Sequence, residues 1–107
     1  MPLIAKYAAE SGRYQAVVAL GAVIRGETDH YDYVCAETAR GIQNVQLSTG
    51  VPVGFGVLTV DSAEQARARV KGGAKRDSGA HAVEAVLASI AVKRELTERP
   101  RRAGFAV

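Results

Sequence analysis

The sequence predicts an α/β fold built on a parallel sheet. Two continuous apolar runs of strand length, Ala16 to Ala22 and Val53 to Val60, have the composition of strands buried on both faces. Helical periodicity separates and follows them, from His30 to about Leu47 and again beyond Ser78. Turn residues mark each change of period: Gly12, Gly26, Ser48-Thr49-Gly50 and Gly72-Gly73. Strands alternating with helices imply right-handed βαβ crossovers and parallel pairing. A sheet of two such strands leaves outer edges that something else must pair with or cover.

Pro2 to Ser11 reads as a helix with proline at its start, where the missing N–H leaves no bond unmade, and Gly12 as its stop. Leu3, Ile4, Tyr7 and Ala8 share one face at helical spacing and are expected to pack. The first strand then leads through Val23-Ile24 into Arg25-Gly26-Glu27-Thr28-Asp29-His30. Ligands of open α/β sheets sit beyond the carboxyl ends of the strands, so this loop is the expected place for chemistry. In the helix from His30, Tyr33, Val34, Glu37, Thr38, Gly41, Ile42 and Val45 recur at three- and four-residue spacing. Thr28 or Asp29 is suited to cap that helix. Free amides and the positive end of the helix dipole then lie beside Gly26-Glu27-Thr28, an anion site made by geometry alone.

Pro52 marks the start of the second strand, in which Gly54 and Gly56 flank Phe55 and permit a close approach. Asp61 or Ser62 caps a short helix with Glu64 and Gln65 in its first turn and Arg67 and Arg69 towards its end. Asp77 or Ser78 starts the last helix, with Ala82, Val83, Val86, Leu87, Ile90 and Ala91 as its apolar stripe. Residues 1–97 form one expected domain, and the segment from Glu98 to Val107, with Pro100 and its charge cluster, reads as a flexible basic tail.

Composition narrows the function classes. With 107 residues, 48% hydrophobic and 23% charged, the chain is an ordinary globular sequence of modest core, neither disordered nor a disulfide scaffold. Cys35 is the sole cysteine, so no intrachain disulfide forms and a cytoplasmic location is expected. No run approaches the roughly 18 apolar residues that cross a bilayer, and no membrane partner is expected. The net charge of +3 resides largely in Arg67, Arg69, Lys71, Lys75 and Arg76 and in Arg99, Arg101 and Arg102. Aromatics do not interleave these patches and no recognition motif accompanies them, so nucleic acid is not an expected partner. Neither a metal nor a cofactor is expected.

Two stretches carry a family resemblance. Gly21-Ala22-Val23-Ile24-Arg25-Gly26-Glu27-Thr28-Asp29-His30-Tyr31-Asp32-Tyr33-Val34 resembles the segment around the catalytic histidine of the lumazine synthase family. Val51-Pro52-Val53-Gly54-Phe55-Gly56-Val57-Leu58-Thr59, followed by Glu64-Gln65-Ala66 and Arg69, is similar to that family's second signature stretch. The resemblance runs from Pro2 to about Leu96 and implies a flavodoxin-like three-layer sandwich with a four-stranded parallel sheet. By that comparison the chain is N-terminally truncated, lacking the first strand, first helix and second strand. An aromatic that stacks on the pyrimidine and a Gly-x-Phe-Glu turn would be missing with them. A shortened chain, a misplaced start and a partner supplying the missing half all fit that expectation.

The resemblance implies condensation of 5-amino-6-(D-ribitylamino)uracil with 3,4-dihydroxy-2-butanone 4-phosphate to give 6,7-dimethyl-8-ribityllumazine in riboflavin biosynthesis. His30, a side chain whose ordinary pKa near 6.5 suits general acid and base work, would be catalytic. Gly26, Glu27 and Thr28 would bind phosphate through amides and a hydroxyl, and Arg69 through its guanidinium. Ala22, Val23, Ile24 and Phe55 would bind the pyrimidine and ribityl chain; without the resemblance Val23, Ile24 and Phe55 read as core. Phe55 and Arg69 would serve a neighbouring subunit's site, which implies a homo-oligomer, a pentamer or a pentamer-based shell. Arg25 reads as a structural ion-pair residue. Asp77-Ser78-Gly79 departs from the family's Lys-Gly, leaving Lys75 or Arg76 as substitutes for that lysine. The alternative reading is a catalytically inactive oligomer-forming fragment or shell subunit of the same fold.

Overall fold

The computed structural model describes residues 1–97; the expected basic tail lies outside the described residues. The elements run α1 (Pro2–Glu10), β1 (Val17–Ile24), α2 (His30–Thr49), β2 (Val53–Val60), α3 (Ala63–Ala68) and α4 (Ser78–Thr97). Local chemistry explains the boundaries. Gly12 and Gly50 both take φ of 73°, a left-handed conformation that costs glycine little and that ends α1 and α2. At α3 it is Ser62 that caps, its hydroxyl accepting from Gln65 N at 3.2 Å, while the Gln65 side chain accepts from Asp61 N at 2.7 Å. Two amides at the helix start are thereby satisfied reciprocally. At α4 the Asp77 carboxylate accepts from Ala80 N at 3.1 Å.

The strands pair in parallel from Val17↔Val53 to Ile24↔Val60, forming a two-stranded sheet. Helices cover both faces. A Cβ at Gly21 would meet Met1, at the start of α1, at 3.0 Å, whereas one at Gly54 would meet the Ala82 carbonyl of α4 at 2.7 Å. α1 and α2 therefore lie on one face and α4 on the other, the three-layer order expected. The principal core is small: Ala5, Ala9, Ala19, Ile42, Val45, Val53 and Val57. Ala82 and Val86 are the buried residues of α4. Among the described residues no helix is long and apolar enough to cross a membrane.

Burial departs from the sequence pattern in a consistent way. β1 runs to Ile24, not Ala22, and only Ala19 along it is buried; Leu20 is 61% exposed. β2, by contrast, is buried on both faces, at Val53, Gly54, Gly56, Val57 and Val60. In α1 the packing residues are Ala5 and Ala9, and Leu3, Ile4 and Tyr7 point outward. In α2 Tyr33 and Glu37 are exposed while Ile42 and Val45 are buried. In α4 Val83, Leu87 and Ala91 are exposed and Ile90 half-buried. The reason is geometric. Two strands lie about 5 Å apart, whereas a helix with its side chains is about 10 Å across. Each helix thus overhangs the sheet, and only a narrow strip of it finds a partner.

Replacing Gly54 with alanine should force α4 away from β2. The expected loss is about 1–3 kcal/mol of stability in urea denaturation. An unchanged unfolding midpoint would contradict the close strand-to-helix approach.

Candidate active site

The carboxyl end of β1, the loop after it and the first turn of α2 form the candidate site. Arg25 N donates to Val60 O at 2.8 Å, so the loop departs from the sheet at a fixed point. Asp29 is the helix N-cap residue, but its side chain makes no capping bond; its carbonyl accepts from Asp32 N at 3.0 Å. Neither expected cap reaches the second or third amide of the helix; Thr28 instead closes a local turn, its hydroxyl oxygen accepting from His30 N at 3.3 Å. Among the described residues nothing accepts from the N–H groups of Gly26 and Glu27. Gly26, Glu27, Thr28 and His30 are all exposed. Unpaired amides, an available hydroxyl hydrogen and the dipole of a helix 20 residues long thus face solvent together, an arrangement suited to an anion.

Beside them lies a charged cluster. Arg25 Nε donates to Asp61 Oδ1 at 2.8 Å, and Nη1 lies 3.7 Å from Asp32 Oδ1. The guanidinium also stands over the Tyr31 ring, 4.2 Å from its centroid. The Asp61 bond, more than the other contacts, raises the Arg25 pKa above its ordinary value. Burial pushes the Tyr31 phenol above its ordinary value, the nearby Cys35 adds to this, and Thr59 and the charge of Arg25 oppose it. Arg25 is thus an ion-pair residue, as its sequence context implied. Nothing in the sequence marked Asp61, Asp32 or Tyr31 as its partners: Asp61 reads there only as a cap for α3, is distant in the chain and reaches Arg25 through strand pairing.

The remaining candidates divide by position. Ala22, Val23 and Ile24 are the last three residues of the β1 ladder, opposite Leu58, Thr59 and Val60. Ile24 is 46% exposed and Phe55 41%, so neither belongs to the core of this chain, which corrects their reading as core residues; Val23 packs against the core partly buried. Phe55 pairs with Ala19, which sets it roughly 16 Å back along the strand from Ile24. The chain therefore does not unite Phe55 with His30. Arg69 ends α3, where its Nη1 donates to Gln65 O at 2.8 Å. It shares an apolar groove of about 540 Å³ with Ala22, Leu20, Leu58, Val70 and Arg67.

A model of the 6,7-dimethyl-8-ribityllumazine synthase family matches residues 1–94. The chain belongs to that family. Among its relatives, the 6,7-dimethyl-8-ribityllumazine synthase of Deinococcus deserti is 53% identical over 100 residues, covering 92% of this chain and 62% of that protein. The enzyme of that name from Deinococcus radiodurans is 58% identical over 92 residues, covering 84% and 56%. That from Nitratidesulfovibrio vulgaris is 50% identical over 98 residues, covering 90% and 61%. The chain thus spans about three fifths of the length of the curated relatives it matches.

The Tyr31 environment makes a testable statement. Its raised pKa means that the folded state holds the phenolic proton more tightly than the unfolded state does. The associated stability is fully present below the unfolded value of about 10 and is lost as pH rises through the folded value. Ultraviolet difference titration should show a tyrosine that ionises above the ordinary value of about 10, and Tyr31→Phe should remove that step.

Proposed function

We propose that the loop from Arg25 to His30 is the phosphate-binding and proton-transfer half of a lumazine synthase active site. The observation that carries this is the meeting, at one strand end, of the unpaired Gly26 and Glu27 amides, the Thr28 hydroxyl and His30. Identities of 50–58% to enzymes of that name support it. The substrates would be 5-amino-6-(D-ribitylamino)uracil and 3,4-dihydroxy-2-butanone 4-phosphate.

The chemistry asks for little beyond placed protons and a held anion. The amine adds to the ketone carbon; water departs to leave an imine; phosphate is eliminated; ring closure with loss of a second water gives 6,7-dimethyl-8-ribityllumazine. His30 would accept the proton from the attacking amine and return protons to the departing oxygens. Gly26, Glu27 and Thr28 would bind the phosphate oxygens through backbone amides and the hydroxyl, with the Glu27 carboxylate turned to solvent because it would repel the anion. Holding the phosphate next to a proton carrier serves both binding and elimination. Ala22, Val23 and Ile24 would line the pyrimidine side of the pocket.

Phe55 and Arg69 are proposed to act in a neighbouring subunit's site. The distance of Phe55 from the strand end and its exposure both support this, because a half-exposed aromatic set back from its own site is available to another chain. Large apolar side chains on the surface, Ile4, Leu20, Leu87 and Leu96 among them, support assembly of several copies, for which a pentamer or a pentamer-based shell is proposed. Residues 1–97 are proposed as the folded unit of that assembly.

A second reading is an assembly subunit that does not turn over substrate. The exposed apolar side chains support assembly and do not by themselves require turnover.

Mixing the protein with both substrates and following lumazine fluorescence separates the two readings; a folded oligomer that yields no product defeats the enzyme reading. Given turnover, His30→Ala should lower kcat by about 10²- to 10⁴-fold. Arg69→Ala should mainly raise KM for the phosphate substrate and leave that of the pyrimidine near its original value. Unaltered kinetics in both variants would remove these assignments. Sedimentation velocity tests the assembly, which a monomer at micromolar concentration would contradict.

A further inference from the structure

The side chain of Arg25 spans the loop that carries the candidate site. Its backbone stands at the start of that loop, where Val60 O accepts its N–H at 2.8 Å. Its guanidinium lies at the far end, 3.7 Å from Asp32 Oδ1 and 4.2 Å from the centre of the Tyr31 ring. Tyr31 and Asp32 directly follow His30 in the first turn of α2. Arg25 Nε meanwhile donates to Asp61 Oδ1 at 2.8 Å, just beyond the end of β2. One side chain therefore joins the three segments that converge on the site. Tyr31 itself lies half-buried in the first turn of α2.

The geometry points to Arg25 as the positioning residue of this site, a clasp that holds the Gly26, Glu27 and Thr28 amides and His30 in one arrangement. The inference rests on the proposed phosphate and proton-transfer role of that loop. In this role Arg25 acts through the loop: its Nε is bonded to Asp61 and one face of its guanidinium lies on Tyr31. Its pairs are exposed, with side-chain accessibilities of 47% for Arg25, 61% for Asp32 and 65% for Asp61, so as isolated ion pairs they would add little to overall stability. Their effect is local. A planar guanidinium that bonds through Nε and stacks at once gives up its freedom once for several contacts, and here those contacts close a short loop onto its own beginning. Lysine at this position can reach one carboxylate but offers neither the fork nor the flat face, so charge alone does not reproduce the clasp.

Amide relaxation of the ligand-free full chain tests the clasp without reference to catalysis. Arg25→Met and Arg25→Lys should both lower the order of the amides from Gly26 to His30, with α4 unaffected and the melting temperature of Arg25→Lys near that of the wild type. Titration with inorganic phosphate, read on the same amides, should show affinity about tenfold weaker in both variants. Asp61→Asn is the second probe, and combining it with Arg25→Met should add little, because both break one network. Loop order and phosphate affinity unchanged in Arg25→Met would overturn the inference. So would full additivity of the two substitutions, or affinity that follows melting temperature across all variants and is restored by lysine. Wild-type protein that takes no phosphate, with loop order still lost in Arg25→Met, would support the clasp while removing the phosphate site.

Discussion

Parallel pairing of β1 with β2 is the constraint on which the rest of the molecule depends. Parallel strands present their carboxyl ends at the same rim, and the chain that joins them must leave from that rim and return to the opposite one. α2 makes that return, so its first turn, with His30, Tyr31 and Asp32, stands at the exit of β1. The same pairing carries Asp61 to the rim from β2, within reach of Arg25. His30, the unpaired amides and the ion-pair cluster are neighbours because the ladder runs unbroken from Val17↔Val53 to Ile24↔Val60.

Small residues set the thickness of the layers. Ala82 of α4 rests on Gly54 and Gly56, and Pro2 of α1 occupies the space a side chain at Gly41 would need. Close approach brings backbone against backbone and satisfies each helix with a strip of alanine, glycine and valine. The larger apolar side chains are left outside that strip: Ile4 is 67% exposed, Leu20 61% and Leu87 59%. A sheet of two strands cannot cover more. These side chains form an exposed apolar surface on the described chain, and Phe55 stands apart from His30 because it pairs with Ala19, well back along the ladder.

Much of the fold was legible in the residues. β2 occupies the expected Val53–Val60, α2 begins at His30, and α4 begins at Ser78 after an Asp77 cap. Those positions follow from local chemistry: glycine in left-handed turns, side-chain oxygens at helix starts, β-branched runs in strands. The facing of side chains was less legible. Hydrophobic spacing identified a helix at Leu3, Ile4 and Tyr7 but not which side of it packs, because Ala5 and Ala9 form an equally good stripe for a closer neighbour. Arg25 was readable as an ion-pair residue, whereas no local pattern pointed to Asp61 or to the stacking of Tyr31.

By itself, then, the amino-acid sequence determined the alternation of strands and helices, the punctuation between them, the family, and the loop in which a histidine follows free amides at a helix start. These depend on residues within a turn or two of each other, or on motifs read along the chain. Tertiary structure alone decided that β1 is an edge strand with Leu20 uncovered, that Phe55 stands back from its own chain's site, and that Arg25 links both strand ends to α2. Each of those is a relation between segments far apart in sequence, created only when the two strands pair and the helices settle on so narrow a sheet.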